Sequence, residues 1–528
     1  MVTKIIGFLI TKEHIVPKID FFDVGLNIIT IKHYDYNIYL WGIGNIEDYK
    51  INNKYSLSFP QHDSLLDRNI LISFEGDNII IENDWLGAIP IFYNQKDLIV
   101  STLSIFCLKD KAIHNEGLSN FCEFGYSVFE QTMFKDIKFM RYYSKLKISD
   151  KSIDIEYKKD PILDDDFIRN NSDEKEAIIL MQKYISGIEN EIEGDIVLPT
   201  SGGYDSRILN YFVKDKSRIR SFTYGISKDQ SKSIEVVHAK KISAIYNTKW
   251  QQIELTNFHK YIEKWFNIYG ISTHLHGMYH IEFYKKILQK NKFRNATFLS
   301  GIFGDIWAGS IKYKAINSYT DVISLGYTHG MNLDTKFLKF INNDLLKKKY
   351  FNTHKDYINN DKIKPVLTIR MKLILISYLT QIPEYFGMPT WTPFLNFDIV
   401  KATLSISDEK RVNRFWQKEF FKKVGLNLED MGLDSVRNNK LNYDVSINHK
   451  FESIDIELMQ QYIDKNRLSW INNKLGKLSI VEKAINELLI IPKVGGVLRR
   501  LGFENEYLKA LYEWYVIKTI EKGIKSES

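Results

Sequence analysis

The stretch Leu198-Pro-Thr-Ser201-Gly202-Gly203-Tyr204-Asp205-Ser206-Arg207 decides how this chain is read. It follows Gly194-Asp-Ile-Val-Leu198, a short apolar run that reads as a buried parallel strand. It leads into Ile208-Leu-Asn-Tyr-Phe-Val213, which reads as the first turns of a helix. A strand, a glycine turn and a helix start aim a row of backbone N–H groups at an anion. Gly202 and Gly203 let the chain wrap closely, because they carry no Cβ to block an oxygen. Ser201 and Ser206 add hydroxyl donors. Asp205 would repel a bare phosphate, and it makes sense where Mg2+ lies between carboxylate and phosphate. The plainer alternative for the same residues is a Gly-Gly turn with a helix cap.

The Ser-Gly-Gly-x-Asp-Ser pattern resembles the pyrophosphate loop of ATP-dependent amide-forming enzymes and related ATP pyrophosphatases. The glycine and Lys-Ser/Thr spacing of a Walker loop is absent. Around the loop, the sequence alternates strand and helix signals. Lys175 to Ile192 carries apolar residues at helical spacing. Arg220 to Gly225 and Lys249 to Leu255 read as strands, and Ser231 to Tyr246 as the helix between them. Such alternation predicts a parallel sheet with right-handed crossovers.

With 528 residues the chain is long enough for roughly two to four domains. An apolar share of 44% beside 26% charged residues fits a globular protein. The 72 basic and 65 acidic side chains leave a net charge of +7, a small excess that suits an anionic ligand without calling for nucleic acid. The two cysteines, Cys107 and Cys122, give neither a disulfide framework nor metal-ligand spacing. The N-terminal residues do not read as a signal peptide, and no run reaches membrane-spanning length, so a cytoplasmic protein without membrane contact is expected.

Residues 1–160 read as rich in β structure, with short Ile-, Val-, Tyr- and Phe-rich runs separated by turn clusters. Two stacked antiparallel sheets would account for them. Phe134 to Ile137 and Lys145 to Tyr157 are expected as its last strands, and the polar segment Lys158 to Glu174 as a linker. Within this part, Asn83-Asp84-Trp-Leu-Gly87-Ala-Ile-Pro90-Ile-Phe-Tyr93 resembles a signature of the glutaminase domain of asparagine synthetases. Gly125-Tyr126 and Thr132-Met-Phe-Lys-Asp-Ile137 resemble its closing elements, in the same order. That resemblance implies an N-terminal cysteine, whose thiol attacks glutamine. Position 2 is Val2, which cannot form a thioester, so a degenerate, non-hydrolysing domain is expected, as in the β-lactam synthetases and lasso-peptide cyclases of the family.

Further along, Thr297-Phe-Leu-Ser300-Gly301-Ile302-Phe-Gly304-Asp305-Ile306-Trp-Ala-Gly309-Ser310 is again an apolar run ending in glycines and an aspartate. It resembles the family's second nucleotide loop, which implies that Ser300 and Gly301 line the ATP site and that Asp305 shares Mg2+ with Asp205. Ile302 and Ile306 stand where asparagine synthetases carry acids. A base must therefore come from elsewhere, and the histidines of Thr273-His274-Leu-His276-Gly-Met-Tyr279-His280 are candidates. Pro393-Phe-Leu-Asn396 resembles a further family element. Arg414-Phe-Trp-Gln-Lys418 and Arg437-Asn-Asn-Lys440 resemble the late helix and the loop whose lysine reaches the α-phosphate, which nominates Lys440 as a catalytic cation.

The resemblance to the asparagine synthetase family thus runs in order from Asn83 to Lys440. It implies a degenerate Ntn-hydrolase-like sandwich over residues 1–160 and an α/β ATP-pyrophosphatase domain with a helical C-terminal part over residues 175–528. It implies an ATP- and Mg2+-dependent ligase that adenylates a carboxylate, with Asp205, Asp305 and Lys440 catalytic and with Ser201, Gly202, Gly203, Tyr204, Ser206, Arg207, Ser300 and Gly301 on the nucleotide. The carboxylate belongs to a small molecule, a sugar acid or a peptide. Nitrogen comes as free ammonia, as ammonia from a separate glutaminase, or as an amine of the substrate itself, which would make a lactam or macrolactam and call for a peptide-processing partner. The alternative from another class is an inactive member that serves as an assembly partner.

Overall fold

A computed structural model describes residues 3–526 apart from 48, 477, 492 and 493, so the reading of Val2 lies outside the described residues. The N-terminal strands are β1 (Lys4–Thr11), β2 (Asn27–His33), β3 (Tyr36–Ile43), β4 (Lys50–Ile51), β5 (Lys54–Ser56), β6 (Ile70–Glu75), β7 (Asn78–Asn83), β8 (Phe92–Asn94), β9 (Ile99–Ser101), β10 (Ile137–Phe139), β11 (Ser144–Ile148) and β12 (Ile153–Tyr157). They form two six-stranded antiparallel sheets, ordered β10-β8-β9-β1-β3-β2 and β12-β11-β7-β6-β5-β4. The last strands differ from the sequence reading. Lys145 to Tyr157 is a hairpin folded at 149–152 rather than continuous strand, and the strand expected over Phe134 to Ile137 begins only at Ile137.

β1 explains why its sequence is apolar without alternation. Ile5, Phe8 and Ile10 pack with Ile70, Ile72, Ile79 and Ile81 of the other sheet. Ile6 and Leu9 point the opposite way, into a core shared with the rest of the chain. A strand buried on both faces needs apolar residues at every position. The first sheet is therefore a middle layer. Its contact with the C-terminal half is closed by a buried ion cluster in which Arg68 donates to both oxygens of Glu384 (2.7 and 3.0 Å), with Lys4 on the same carboxylate. The expected linker is pinned as well, because Arg370 clasps Asp160 and donates to the Trp85 carbonyl.

The C-terminal half is built on the parallel strands β13 (Ile196–Pro199), β14 (Ile219–Thr223), β15 (Lys249–Gln252), β16 (Thr297–Leu299) and β17 (Thr390–Trp391), in the order β15-β14-β13-β16-β17. The chain leaves β13 and returns on both sides of it, so the crevice at the carboxyl ends of β13 and β16 lies at a reversal of strand order. That is where open parallel sheets hold ligands. Helices Glu174–Glu191, Tyr204–Phe212 and Ile234–Tyr246 flank the sheet. Among the described residues one helical run, Ile363–Tyr385, is long and apolar enough to cross a membrane, and 78% of its apolar stretch is buried inside the fold.

Candidate functional site

The loop after β13 is held open by its own backbone. Thr200 N–H donates to the Phe222 carbonyl (3.0 Å), and the Thr200 hydroxyl accepts from Ser221 (2.7 Å) and from Asn210 (3.1 Å). The chain then turns through Gly202 at φ +74°, where an added Cβ would sit 2.1 Å from His238 Cβ. The helix Tyr204–Phe212 starts without any side-chain cap. Ser201 Oγ accepts from Gly203 N–H (3.3 Å), and Ser206 donates to the Gly203 carbonyl (3.1 Å). The first N–H groups of the helix are left for something other than the protein's own side chains.

The loop after β16 comes up beside it. Phe303 adopts a left-handed conformation (φ +70°) immediately before the one-turn helix Gly304–Trp307, a strained placement of the kind found at working sites. Gly301 lies against Asp205, and at Gly304 an added Cβ would meet Asp205 Oδ1 at 2.6 Å. Trp307 Nε1 donates to the Phe394 carbonyl (2.9 Å), which ties Pro393-Phe-Leu-Asn396 to the same loop. Asp205 and Asp305 thus face each other across the ends of two adjacent strands. Burial, reinforced by the Asp305 charge, raises Asp205 well above the usual carboxylate range, and Arg414 and Gln417 oppose the rise. Its Oδ1 is shielded from water and has no hydrogen-bond partner. Among the described residues no cluster of three or more His, Cys, Asp or Glu side chains could hold a metal alone. Two carboxylates and an orphaned buried oxygen suit a Mg2+ ion whose remaining ligands are water and substrate phosphate.

These loops open onto a cavity of about 700 Å3. Ser201, Gly202, Gly203 and Tyr204 form one wall, and Arg414, Lys418 and Arg437 bring three cations to it. Arg414 is aimed by two successive left-handed residues, Asn413 (φ 53°) and Arg414 itself (φ 58°). Its guanidinium lies 4.8 Å over the Tyr204 ring, which stacks on Phe421. Glu235 and His238 also line the cavity. Burial raises Glu235 and lowers His238, and Arg207 pushes His238 the same way. Asp205, Ser206, Ser300, Gly301 and Asp305, expected on the nucleotide, are not among the cavity's lining residues; the backbone donors and three cations that are there can bind a polyphosphate, with the aspartate pair beside it.

Several residues singled out from the sequence lie elsewhere. Arg207 is fully buried and does not reach the cavity. It grips Glu429 with both terminal nitrogens (3.1 and 3.0 Å) and donates to the carbonyls of Leu426 and Gly202, so it braces the loop from below. Lys440 is 4% exposed, and its ammonium is taken by Glu487 (2.7 Å) outside the cavity. Ser300 accepts from Ile302 N–H (3.2 Å) within its own turn. Ile302 and Ile306 pack against the core. His274, His276 and His280 are buried neutral, lowered to about 3, 4 and 3 chiefly by desolvation, and none of them lines the cavity. The cations that do line it, Arg414, Lys418 and Arg437, sit in the same basic stretches that nominated Lys440.

No family model matches the chain, and no curated protein matches it. Among solved structures, an NH3-dependent NAD synthetase from Campylobacter jejuni subsp. jejuni NCTC 11168, in complex with the nitrate ion, is similar over 41% of this chain and 96% of its own. The identity is 14% and the TM-score 0.19, a likeness too slight to carry an argument about this chain.

Proposed function

We propose that this chain is an ATP-dependent carbon–nitrogen ligase that adenylates a substrate carboxylate and hands the acyl group to an amine or ammonia. The observation that carries the reading is the meeting of Asp205 and Asp305 beside the uncapped loop, whose Ser201–Tyr204 stretch shares a cavity with Arg414, Lys418 and Arg437. On this reading the parallel-sheet half is an ATP-pyrophosphatase domain, and the two antiparallel sheets are a glutaminase-like unit that has kept its shape.

A carboxylate oxygen attacks the α-phosphorus of ATP, and the bond to the bridging oxygen breaks. Acyl-adenylate and pyrophosphate result. The amine nitrogen then attacks the acyl carbon, AMP leaves with the electron pair of the broken C–O bond, and the nitrogen gives up a proton. The backbone N–H groups of Gly202 and Tyr204 hold the departing pyrophosphate. Asp205 and Asp305 would hold Mg2+, which when bound would supply charge neutralisation on the phosphates. Arg414 and Lys418 offset charge growing on the α-phosphate, a task that Lys440 leaves open while Glu487 holds it. Arg414, laid over the Tyr204 ring, is held in place before substrate arrives.

ATP–pyrophosphate exchange with pools of carboxylic acids tests the proposal. Mg2+-dependent exchange with one class of acid is the expected result. The absence of exchange with every acid, together with no binding of Mg-ATP, would overturn it and favour an assembly partner without catalysis.

A further inference from the structure

A second cavity, of about 370 Å3, adjoins the first at two points in the chain. Ile226 lines the first and Ser227 the second; Asn439 lines the first and Leu441 the second. Between them the Lys440 N–H donates to the Ile226 carbonyl (2.8 Å) and locks the two crossing segments together. The volume is that of a small-ligand pocket.

The charge of the second cavity is one-sided. Lys228, Lys260 and Lys450 line it, against a single carboxylate, Asp444. The three lysines come from three separate segments: the loop after β14, the turn Phe258–Tyr261, and the stretch after the helix Leu441–Ser446. Among the described residues, none of the three is in a salt bridge, although the chain forms many such pairs elsewhere. Burial raises Asp444, the one carboxylate that lines the cavity with them.

The floor is of a different kind. His259 is 2% exposed, and its ring stacks on that of His449 at 5.2 Å and 25°. Its Nε2 lies 2.8 Å from the Tyr515 hydroxyl, and its Nδ1 has no partner. Leu255, Leu441 and Val445 complete the apolar part. An apolar and imidazole floor beneath a rim of three unpaired cations suits a compact ligand with a carbon body and several negative oxygens.

We infer that this cavity is a second anion-binding site, for a small molecule bearing several carboxylates or a phosphate, separate from the site at Ser201–Ser206. The inference does not depend on the ligase reading, because it requires only the cavity and its charges. Isothermal titration of the full chain with citrate, and in a separate arm with inorganic phosphate, tests it. One site per chain is expected, with affinity that falls as salt is added. Lys260→Gln together with Lys450→Gln is expected to weaken it by about tenfold or more. Asp444→Asn is expected to tighten it by about threefold. Lys418→Ala, in the first cavity, should leave it unchanged. Citrate binding alone assigns the site to polycarboxylates, and phosphate binding alone to phosphate-bearing ligands. No binding of either anion, binding undiminished in the double variant, or binding lost in Lys418→Ala would overturn the inference.

Discussion

Asp84, in the turn after β7, and Asp205 at the head of the parallel sheet are both pushed upward by burial, Asp84 to about 6. Their surroundings differ. Asp84 accepts from the N–H groups of Leu86, Ala88 and Asn69 at 3.0 to 3.2 Å, so both of its oxygens are satisfied by backbone. It knots the turn that leads from β7 to β8. Asp205 has a buried oxygen with no partner and a second carboxylate opposite. One aspartate is consumed by the fold and the other is held for something outside it. The contrast separates an aspartate that serves the fold from one whose buried oxygen is left without a partner.

The largest effect should come from exchanging these two roles. Asp205→Asn is expected to lower ATP–pyrophosphate exchange by about 10³-fold or more while leaving thermal stability equal or higher, since a like-charge contact is relieved. Asp84→Asn should instead leave exchange per folded molecule intact and cost about 2–3 kcal/mol in denaturant unfolding, through unsatisfied backbone donors. The comparison breaks if Asp205→Asn unfolds the chain or if Asp84→Asn removes activity without loss of stability.

Next in size are the cations. Arg414→Ala should weaken Mg-ATP binding by about 10- to 100-fold in calorimetry, because it removes a charge-assisted contact. Lys440→Ala should change it by less than about threefold, as expected for a lysine already paired. A larger loss in Lys440→Ala than in Arg414→Ala would mean that the lysine leaves Glu487 when nucleotide binds. The glycines give a smaller, parallel test. Gly202 and Gly87 both have positive φ, but an added Cβ would lie 2.1 Å from His238 at the first and 3.3 Å from Tyr142 at the second. Gly202→Ala should cost about 1–3 kcal/mol and impair nucleotide binding, and Gly87→Ala about 1 kcal/mol without touching binding, both read from unfolding curves with and without Mg-ATP.

The smallest effect is in pH. His274, His276 and His280 remain neutral in the fold down to about 3 to 4, whereas in the unfolded chain they take up protons from about pH 6.5. Their contribution to stability is therefore complete above pH 6.5 and is lost as pH falls toward 4. Asp205 and Asp84 act in the opposite sense, because their raised folded values favour the protonated native state in the same window. Denaturation midpoints should drop on acidification, and the drop should be steeper in Asp205→Asn.

Local patterns carried most of what the sequence could say. The loop at Ser201–Ser206, the second loop at Ser300–Asp305 and the alternation of strands and helices all depend on neighbours close in the chain. The short apolar runs of the N-terminal strands were readable for the same reason. The destinations of long side chains were not. Arg207 finds Glu429 across more than two hundred residues, and Lys440 finds Glu487 on a later helix. Arg414 enters the cavity because the backbone turns left-handed twice, at Asn413 and Arg414, where neither residue is glycine. Such a kink is imposed by tertiary packing and leaves no mark in composition. The neutrality of the three histidines likewise follows from burial, which their polar spacing does not reveal.

Binding of Mn2+ in the presence of ATP, followed by electron paramagnetic resonance in the native chain and in Asp205→Asn, tests the central claim most directly. The account predicts one nucleotide-dependent Mn2+ per chain in the native protein and none in the variant. Undiminished Mn2+–ATP binding in Asp205→Asn, or no such binding in the native chain, would contradict it.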